Sequence, residues 1–178
     1  MSVFEIYLNL GLQHITDLDA YDHMVFLLAI CAFQEMRHWK NLLILITAFT
    51  IGHSLTLILA ALGIIHFPVE IIEFLIPLTI FINSLSAFRD FGYHKNQNWL
   101  YTMILVFGLI HGIGFSNYLL QLLGNEDSIL LPLFAFNIGI ELGQIFVVII
   151  ILIIKTGIEF LPNINKKNFF LVYWKKVL

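Results

Sequence analysis

The chain has 178 residues and a formal net charge of −3; 60% of its residues are hydrophobic and only 12% are charged. Soluble domains contain about 25% charged residues, and a small domain leaves a large part of its surface in water. This composition excludes a soluble globular protein and predicts an all-α bundle of transmembrane helices, with the lipid bilayer as its solvent. Because Cys31 is the only cysteine, a disulfide framework and a thiolate metal cluster are excluded as well.

Residues 1–178 are predicted to form a single transmembrane domain with about five spans. A helix needs roughly 17 to 25 mostly apolar residues to cross about 30 Å of hydrocarbon. Five stretches reach that length, namely residues 20–36, 42–62, 69–88, 100–123 and 129–154.

Both ends of the chain carry apolar segments that are too short to cross. Residues 1–13 contain no basic residue, so we expect no cleaved leader. We predict instead an N-terminal half-helix that lies at the membrane surface or dips into it. Near the other end, residues 169–174 predict a short interfacial segment or a truncated sixth element.

The basic residues predict the orientation of the bundle. All of them fall in alternate loops on one side, and they are Arg37, Lys40, Arg89, Lys95, Lys155, Lys166, Lys167, Lys175 and Lys176. The loops on the other side carry only acidic charges. Because Lys and Arg are retained on the cytoplasmic side, the N-terminus is predicted to lie outside and the C-terminus in the cytoplasm.

Ionisable side chains inside three of the predicted spans indicate a functional site. Such groups are costly in a bilayer and usually face the bundle interior. His53 and His111 each lie about eleven residues from the cytoplasmic end of their span, near mid-bilayer at 1.5 Å per residue. Glu141 lies in the middle of the fifth span. Asn137 shares its face, since residues four apart stack on a helix, and Gln144 continues that polar stripe.

A second group of polar residues lies at the outer end of the first span. Its members are histidines and aspartates, namely His14, Asp17, Asp19, Asp22 and His23. Imidazole and carboxylate without thiolate is a ligand set for Ni, Co, Zn, Fe(II) or Cu(II). An acidic vestibule would also raise the local concentration of such cations.

Two alternatives to a metal pathway stay open. A single intramembrane His or Asn commonly forms hydrogen bonds between helices, in which case the protein would be a non-catalytic scaffold. An intramembrane metal-binding enzyme or redox protein is the other alternative. The sequence has neither an HExxH motif nor two histidines four residues apart, so we expect no enzyme of the zinc-protease type. His66 and Glu73 are assigned no role.

Five segments of the sequence resemble the HupE/UreJ family of small bacterial membrane proteins. They occur in the order of that family and are GLQHI at 11–15, YDHMVFLL at 21–28, FTIGHSLTL at 49–57, FGLIHGIGF at 107–115 and FNIGIELGQ at 136–144. The resemblance covers about residues 10 to 150 and implies a protein of the bacterial inner membrane.

The resemblance also implies an activity, which is uptake of nickel, or of cobalt, for hydrogenase or urease maturation. The histidines and aspartate of the first-span motif would be needed for it, and they correspond to His14, Asp22 and His23. We therefore expect a metal permease and no enzyme. The ion would pass from the outer acidic residues to His53, His111 and Glu141. A thin wall of five spans favours a homo-oligomer, and no nucleic-acid partner is expected.

Overall fold

A computed structural model describes residues 1–17, 21–33, 39–89, 97–124 and 128–159, and these form helices and short connections without any strand. The helices are α1 (Val3–Thr16), α2 (Tyr21–Phe33), α3 (Trp39–Ala61), α4 (Val69–Arg89), α5 (Gln97–Leu123) and α6 (Leu130–Glu159). The predicted all-α bundle is confirmed.

Each of the five predicted spans coincides with one helix, from α2 to α6, within a few residues. Within the described residues, three helical segments are long and apolar enough to cross a membrane, namely Trp39–Ala61, Asn98–Leu123 and Leu130–Ile158. A shorter apolar helix, Tyr21–Cys31, belongs to α2. The chain is therefore a helical membrane protein. The predicted segment at residues 169–174 lies outside the described residues.

Helix α1 is the predicted N-terminal half-helix, and its first turn is capped by side chains. The hydroxyl of Ser2 accepts a hydrogen bond from the backbone N–H of Glu5 at 3.3 Å, and the N–H of Ser2 donates to the Glu5 carboxylate at 2.9 Å. This capping box satisfies N–H groups that a helix start otherwise leaves unpaired. The helix stops at Asp17, whose backbone is extended.

Helices α3 and α5 pack in parallel through glycines. Gly108 lies on the carbonyl of Phe49 and the backbone nitrogen of His53, and one turn further Gly112 lies on the carbonyl of His53. Without side chains at these glycines, the two backbones come into direct contact. This contact orients His53, which lies on the α3 side of it, toward the bundle interior.

Helices α1 and α6 form a second parallel pair of the same kind. Gly11 lies on the backbone of Phe136 and Ile140, and Gly139 lies on the carbonyl of Leu8. These two pairs make the most extensive helix–helix contacts among the described elements. The half-helix thus packs along α6 as a member of the bundle, a position that its sequence did not reveal.

Helices α1 and α2 follow one another along α5, which runs in the opposite direction. Tyr7 of α1 donates a hydrogen bond to the carbonyl of Leu122, near the end of α5. Further along, the ring of Phe26 on α2 lies 4.1 Å from that of Phe107 on α5. Two helices of about 20 Å each therefore share the length of α5.

Candidate metal site

Helix α2 begins with Asp22 and His23, which are linked by two hydrogen bonds. One carboxylate oxygen of Asp22 accepts from the backbone N–H of His23 at 2.9 Å and lies 3.0 Å from Nδ1 of the His23 ring. A carboxylate at Nδ1 holds the proton on that nitrogen, so Nε2 keeps its lone pair for a metal. His23 is buried and Asp22 is partly exposed.

His111 on α5 completes a group of three metal-ligating side chains. Its Nε2 lies 3.3 Å from the second carboxylate oxygen of Asp22. One ligand atom from each of Asp22, His23 and His111 lies within 4.8 Å of the others. Two nitrogens bound to one ion at about 2.1 Å can be at most about 4.2 Å apart. A small inward shift of these side chains would therefore let all three bind one ion.

Two further histidines extend this group into a row. The ring of His14, in the last turn of α1, lies 4.7 Å from the ring of His23. The ring of His53 on α3 lies 5.8 Å from that of His14. His53 is fully buried. The structure thus brings together five of the six predicted metal ligands, from four different helices.

Most nitrogens in this row have no hydrogen-bond partner within the part of the chain that the structure describes. The buried unpaired atoms include Nε2 of His14, Nε2 of His23, Nδ1 of His111 and both ring nitrogens of His53. Buried polar atoms in folded proteins are nearly always paired. A metal ion would take one nitrogen lone pair from each imidazole and water could accept from the remaining N–H groups, so the donor set fits a divalent transition metal.

A cavity of about 280 Å³ leads to the histidine row from one end of the bundle. His14, Asp22, His23 and His111 line it, together with His66 in the α3–α4 connection and Glu73 on α4. Sequence reasoning gave these last two residues no role. The sequence did offer one signal for such a role, because both residues lie on the side of the predicted bundle whose loops carry the acidic charges.

On the opposite side of the row, a cluster of phenylalanines fills the interior. The ring of Phe26 lies 4.1 Å from that of Phe107 and 5.1 Å from that of Phe49, and all three side chains are buried. The ring of His111 rests 4.2 Å from Phe107. Toward this side, His111 is therefore followed by packed aromatic rings, while the other side of the row opens into the cavity.

Glu141 has a different set of partners from the histidines. Its carboxylate accepts hydrogen bonds from the hydroxyls of Thr47 at 2.6 Å and Thr50 at 2.5 Å, both on α3. The Thr50 hydroxyl also lies 2.9 Å from the side-chain oxygen of Gln144, which is fully buried. The predicted ligand Glu141 is thus part of a polar contact between α3 and α6.

The remaining predicted residues are Asn137, Asp17 and Asp19. The side-chain amide of Asn137 donates to the carbonyl of Leu133 at 2.8 Å, one turn earlier on α6. Asp17 is exposed at the end of α1. Asp19 lies outside the described residues.

Comparison with known proteins identifies the family of the chain. The profile of the family described as HupE / UreJ protein matches residues 1–172. The chain belongs to the HupE/UreJ family. No curated protein matches the chain, and no solved structure matches it either. The resemblance drawn from five short segments is therefore confirmed, and the HupE/UreJ match includes every helix that contributes to the histidine row.

Proposed function

We propose that this HupE/UreJ protein is a permease for a divalent transition metal ion, with nickel as the foremost candidate and Co, Zn, Fe or Cu as others. The ligand atoms of Asp22, His23 and His111, within 4.8 Å of one another at a cavity lining, carry the proposal. His14 and His53 extend this site within the bundle. The uptake of nickel or cobalt that the family resemblance implies supports the same activity.

The unpaired histidine nitrogens favour a metal pathway over a scaffold. Side chains that only tie helices together form hydrogen bonds across the interface, as Thr50 does with Glu141. By contrast, both ring nitrogens of buried His53 lack a partner among the described residues. An ion that enters and leaves would explain polar atoms that are buried and ready to bind.

In the proposed path, the ion enters through the cavity from the outside of the bacterial inner membrane. Asp17 and Asp19 attract it, and the carboxylate and imidazoles of the site bind it. Glu141, with Asn137 and Gln144, offers oxygen ligands on the far side of His53. Subunits would assemble into a homo-oligomer in the lipid bilayer, with the N-terminus outside and the C-terminus in the cytoplasm. The membrane potential or a partner protein would supply the energy, and no enzymatic step is involved.

The test is metal binding and uptake by the purified, reconstituted protein. We would titrate it with Ni, Co, Zn, Fe(II) and Cu(II), and then measure uptake of the bound ion into vesicles. We expect about one ion per chain, and we expect the double variant Asp22→Asn/His111→Gln to lose it. These substitutions remove one charge and one imidazole while nearly keeping the side-chain volumes.

Glu70→Gln provides the matched control, because it removes an exposed carboxylate of α4 that does not line the cavity. It should bind and transport metal like the natural sequence. If the folded protein bound none of these ions, a permease of this kind would be ruled out. Binding without uptake would instead favour the metal-binding enzyme or redox protein.

A further inference from the structure

We propose that His66 and Glu73 form an entry site for the metal ion at the exposed end of the cavity, ahead of the buried site. This inference rests on the proposed function and assigns a second, weaker binding step to the same cavity. Both side chains line the cavity and both are exposed, whereas His23 and His111 at its other end are buried. The two ends of one cavity would thus carry the same imidazole and carboxylate chemistry.

His66 lies in a short connection whose start is fixed by backbone hydrogen bonds. Gly63 lies two residues after the end of helix α3 and has a φ of 68°. The N–H of Gly63 donates to the carbonyl of Ala60, and the N–H of Ile64 donates to that of Leu59, both at 2.9 Å. This is a Schellman motif, in which glycine adopts the left-handed conformation at low cost. The chain therefore leaves α3 in a defined direction.

The end of the same connection is fixed as well. The carbonyl of Pro68 accepts a hydrogen bond from the N–H of Ile71 at 3.2 Å, in the first turn of α4. Only four residues lie between Gly63 and Pro68, and the His66 ring approaches to 4.0 Å from the position that a Cβ on Gly63 would occupy. His66 is thus held at the cavity by a short connection anchored on both sides.

Glu73 is held at the cavity by the packing of α4 on α5. Its neighbours Ile72 and Ile76 lie directly on Gly114 of α5. Asn117 follows Gly114 by about one helical turn and also lines the cavity. Glu73 and Asn117 therefore line the cavity from two helices that pack on each other, and His66 lines it from the connection that precedes α4.

The charges of the cavity favour a cation. Asp22 and Glu73 contribute carboxylates, and no Lys or Arg is among the described residues that line the cavity. Clefts lined by one sign of charge concentrate the opposite ion. One imidazole and one carboxylate are suitable ligands for a borderline divalent metal. Since two protein ligands leave the other positions to water, the ion can bind there while hydrated and then move on.

The first experiment compares uptake kinetics of three forms in vesicles. The mouth variant His66→Ala/Glu73→Gln is expected to raise the nickel concentration for half-maximal uptake at least fivefold, with the maximal rate unchanged. Glu70→Gln is the control, since it removes an equal charge from the preceding turn of α4 without altering the cavity lining. An unchanged concentration in the mouth variant, or an equal rise in the control, would overturn the entry site.

A second experiment needs no transport. Co²⁺ is titrated, with its visible absorption as the readout, into the variant Asp22→Asn/His23→Gln/His111→Gln. Weak Co²⁺ binding that persists in this variant, and disappears when the substitutions His66→Ala/Glu73→Gln are combined with it, would support the entry site. If no weak site is found, the entry site is wrong. If the natural sequence showed no tight metal binding, the proposed function would be wrong. This titration would still decide whether His66 and Glu73 form a weak binding site.

Discussion

The two glycine-packed helix pairs hold the two sides of the histidine row in different ways. In the α3–α5 pair, His53 and His111 lie in the interior of continuous helices of 23 and 27 residues. In the α1–α6 pair, a helix of 14 residues lies on one of 30, and His14 occupies the last turn of the shorter helix. Both pairs are parallel, and α6 runs opposite to α3.

A shared sequence pattern makes the comparison sharper. Gly11-Leu-Gln-His14 in α1 and Gly108-Leu-Ile-His111 in α5 each place a histidine three residues after the packing glycine. The glycine fixes the distance to the partner helix, and the histidine on the neighbouring face reaches the row. In both pairs, a glycine contact thus positions a histidine. In the α3–α5 pair this histidine lies within a long helix, whereas in the α1–α6 pair it lies at the end of a short one.

The largest effect is expected from a substitution that separates α3 from α5. In Gly108→Ala, the new methyl group would meet the carbonyl of Phe49 and the backbone of His53, and backbone atoms cannot rotate away. We expect a loss of about 3 kcal/mol of stability, at the upper end of the usual range for overpacking, and little monodisperse protein, measured by size-exclusion chromatography and thermal unfolding.

Gly157→Ala is the control for that substitution, because no atom lies within 4 Å of the position a Cβ would take. It should leave the unfolding temperature unchanged or raise it slightly, since alanine favours helix by up to about 1 kcal/mol over glycine. Equal damage from both variants would show that the glycine contact is unimportant.

A smaller loss of stability, with a specific loss of binding, is expected in the second pair. In Gly139→Ala, the methyl group would meet the carbonyl of Leu8 and displace α1 together with His14. We expect a cost of about 1–3 kcal/mol and metal affinity reduced about tenfold or more, in the range known for disturbed metal sites. Unfolding temperature and nickel titration measure the two effects, and undiminished affinity would contradict a role for His14.

The smallest effect is expected at the polar contact between the pairs. Thr50→Val removes the hydroxyl that contacts Glu141 and Gln144 and leaves both without that partner. The cost should be about 1 kcal/mol, at the low end of the range for a lost partner, because Glu141 keeps its hydrogen bond from Thr47, and equilibrium metal binding should stay unchanged. Thr47→Val, at an exposed position with one such bond, should cost less. If Thr50→Val lost metal binding, as we expect for Asp22→Asn/His111→Gln, Glu141 would belong to the equilibrium binding site.

Much of this arrangement could be predicted from the sequence. Apolar runs of about 20 residues predicted helices at the positions of α2 to α6, and three helices of the described residues are long and apolar enough to span a membrane. Intramembrane histidines gave the site, because burial of His53 and His111 is too costly to be accidental. The HupE/UreJ segments pointed to the same residues, and the family match agrees with them.

Other features depend on contacts that spacing along the chain does not encode. Gly11 and Gly139 are far apart in sequence, and several helices offer glycines with which either could pair. The depth of Glu141 suggested a place beside His53, but its helix turns the carboxylate toward Thr47 and Thr50. Likewise, the connection that brings His66 to the cavity depends on how α4 packs against α5.

The pairing of α1 with α6 also has a consequence for the order of assembly during synthesis. Of the described helices, α1 leaves the ribosome first, yet its packing partner α6 leaves last. Until α6 is made, Gly11 has no surface to lie on, and His14 has no fixed place beside His23. Asp22, His23 and His111 can come together earlier, but the row of histidines is complete only when α1 packs against α6. A nascent chain that stalls before residue 130 would therefore lack the complete row, so the full metal affinity reports on completed assembly.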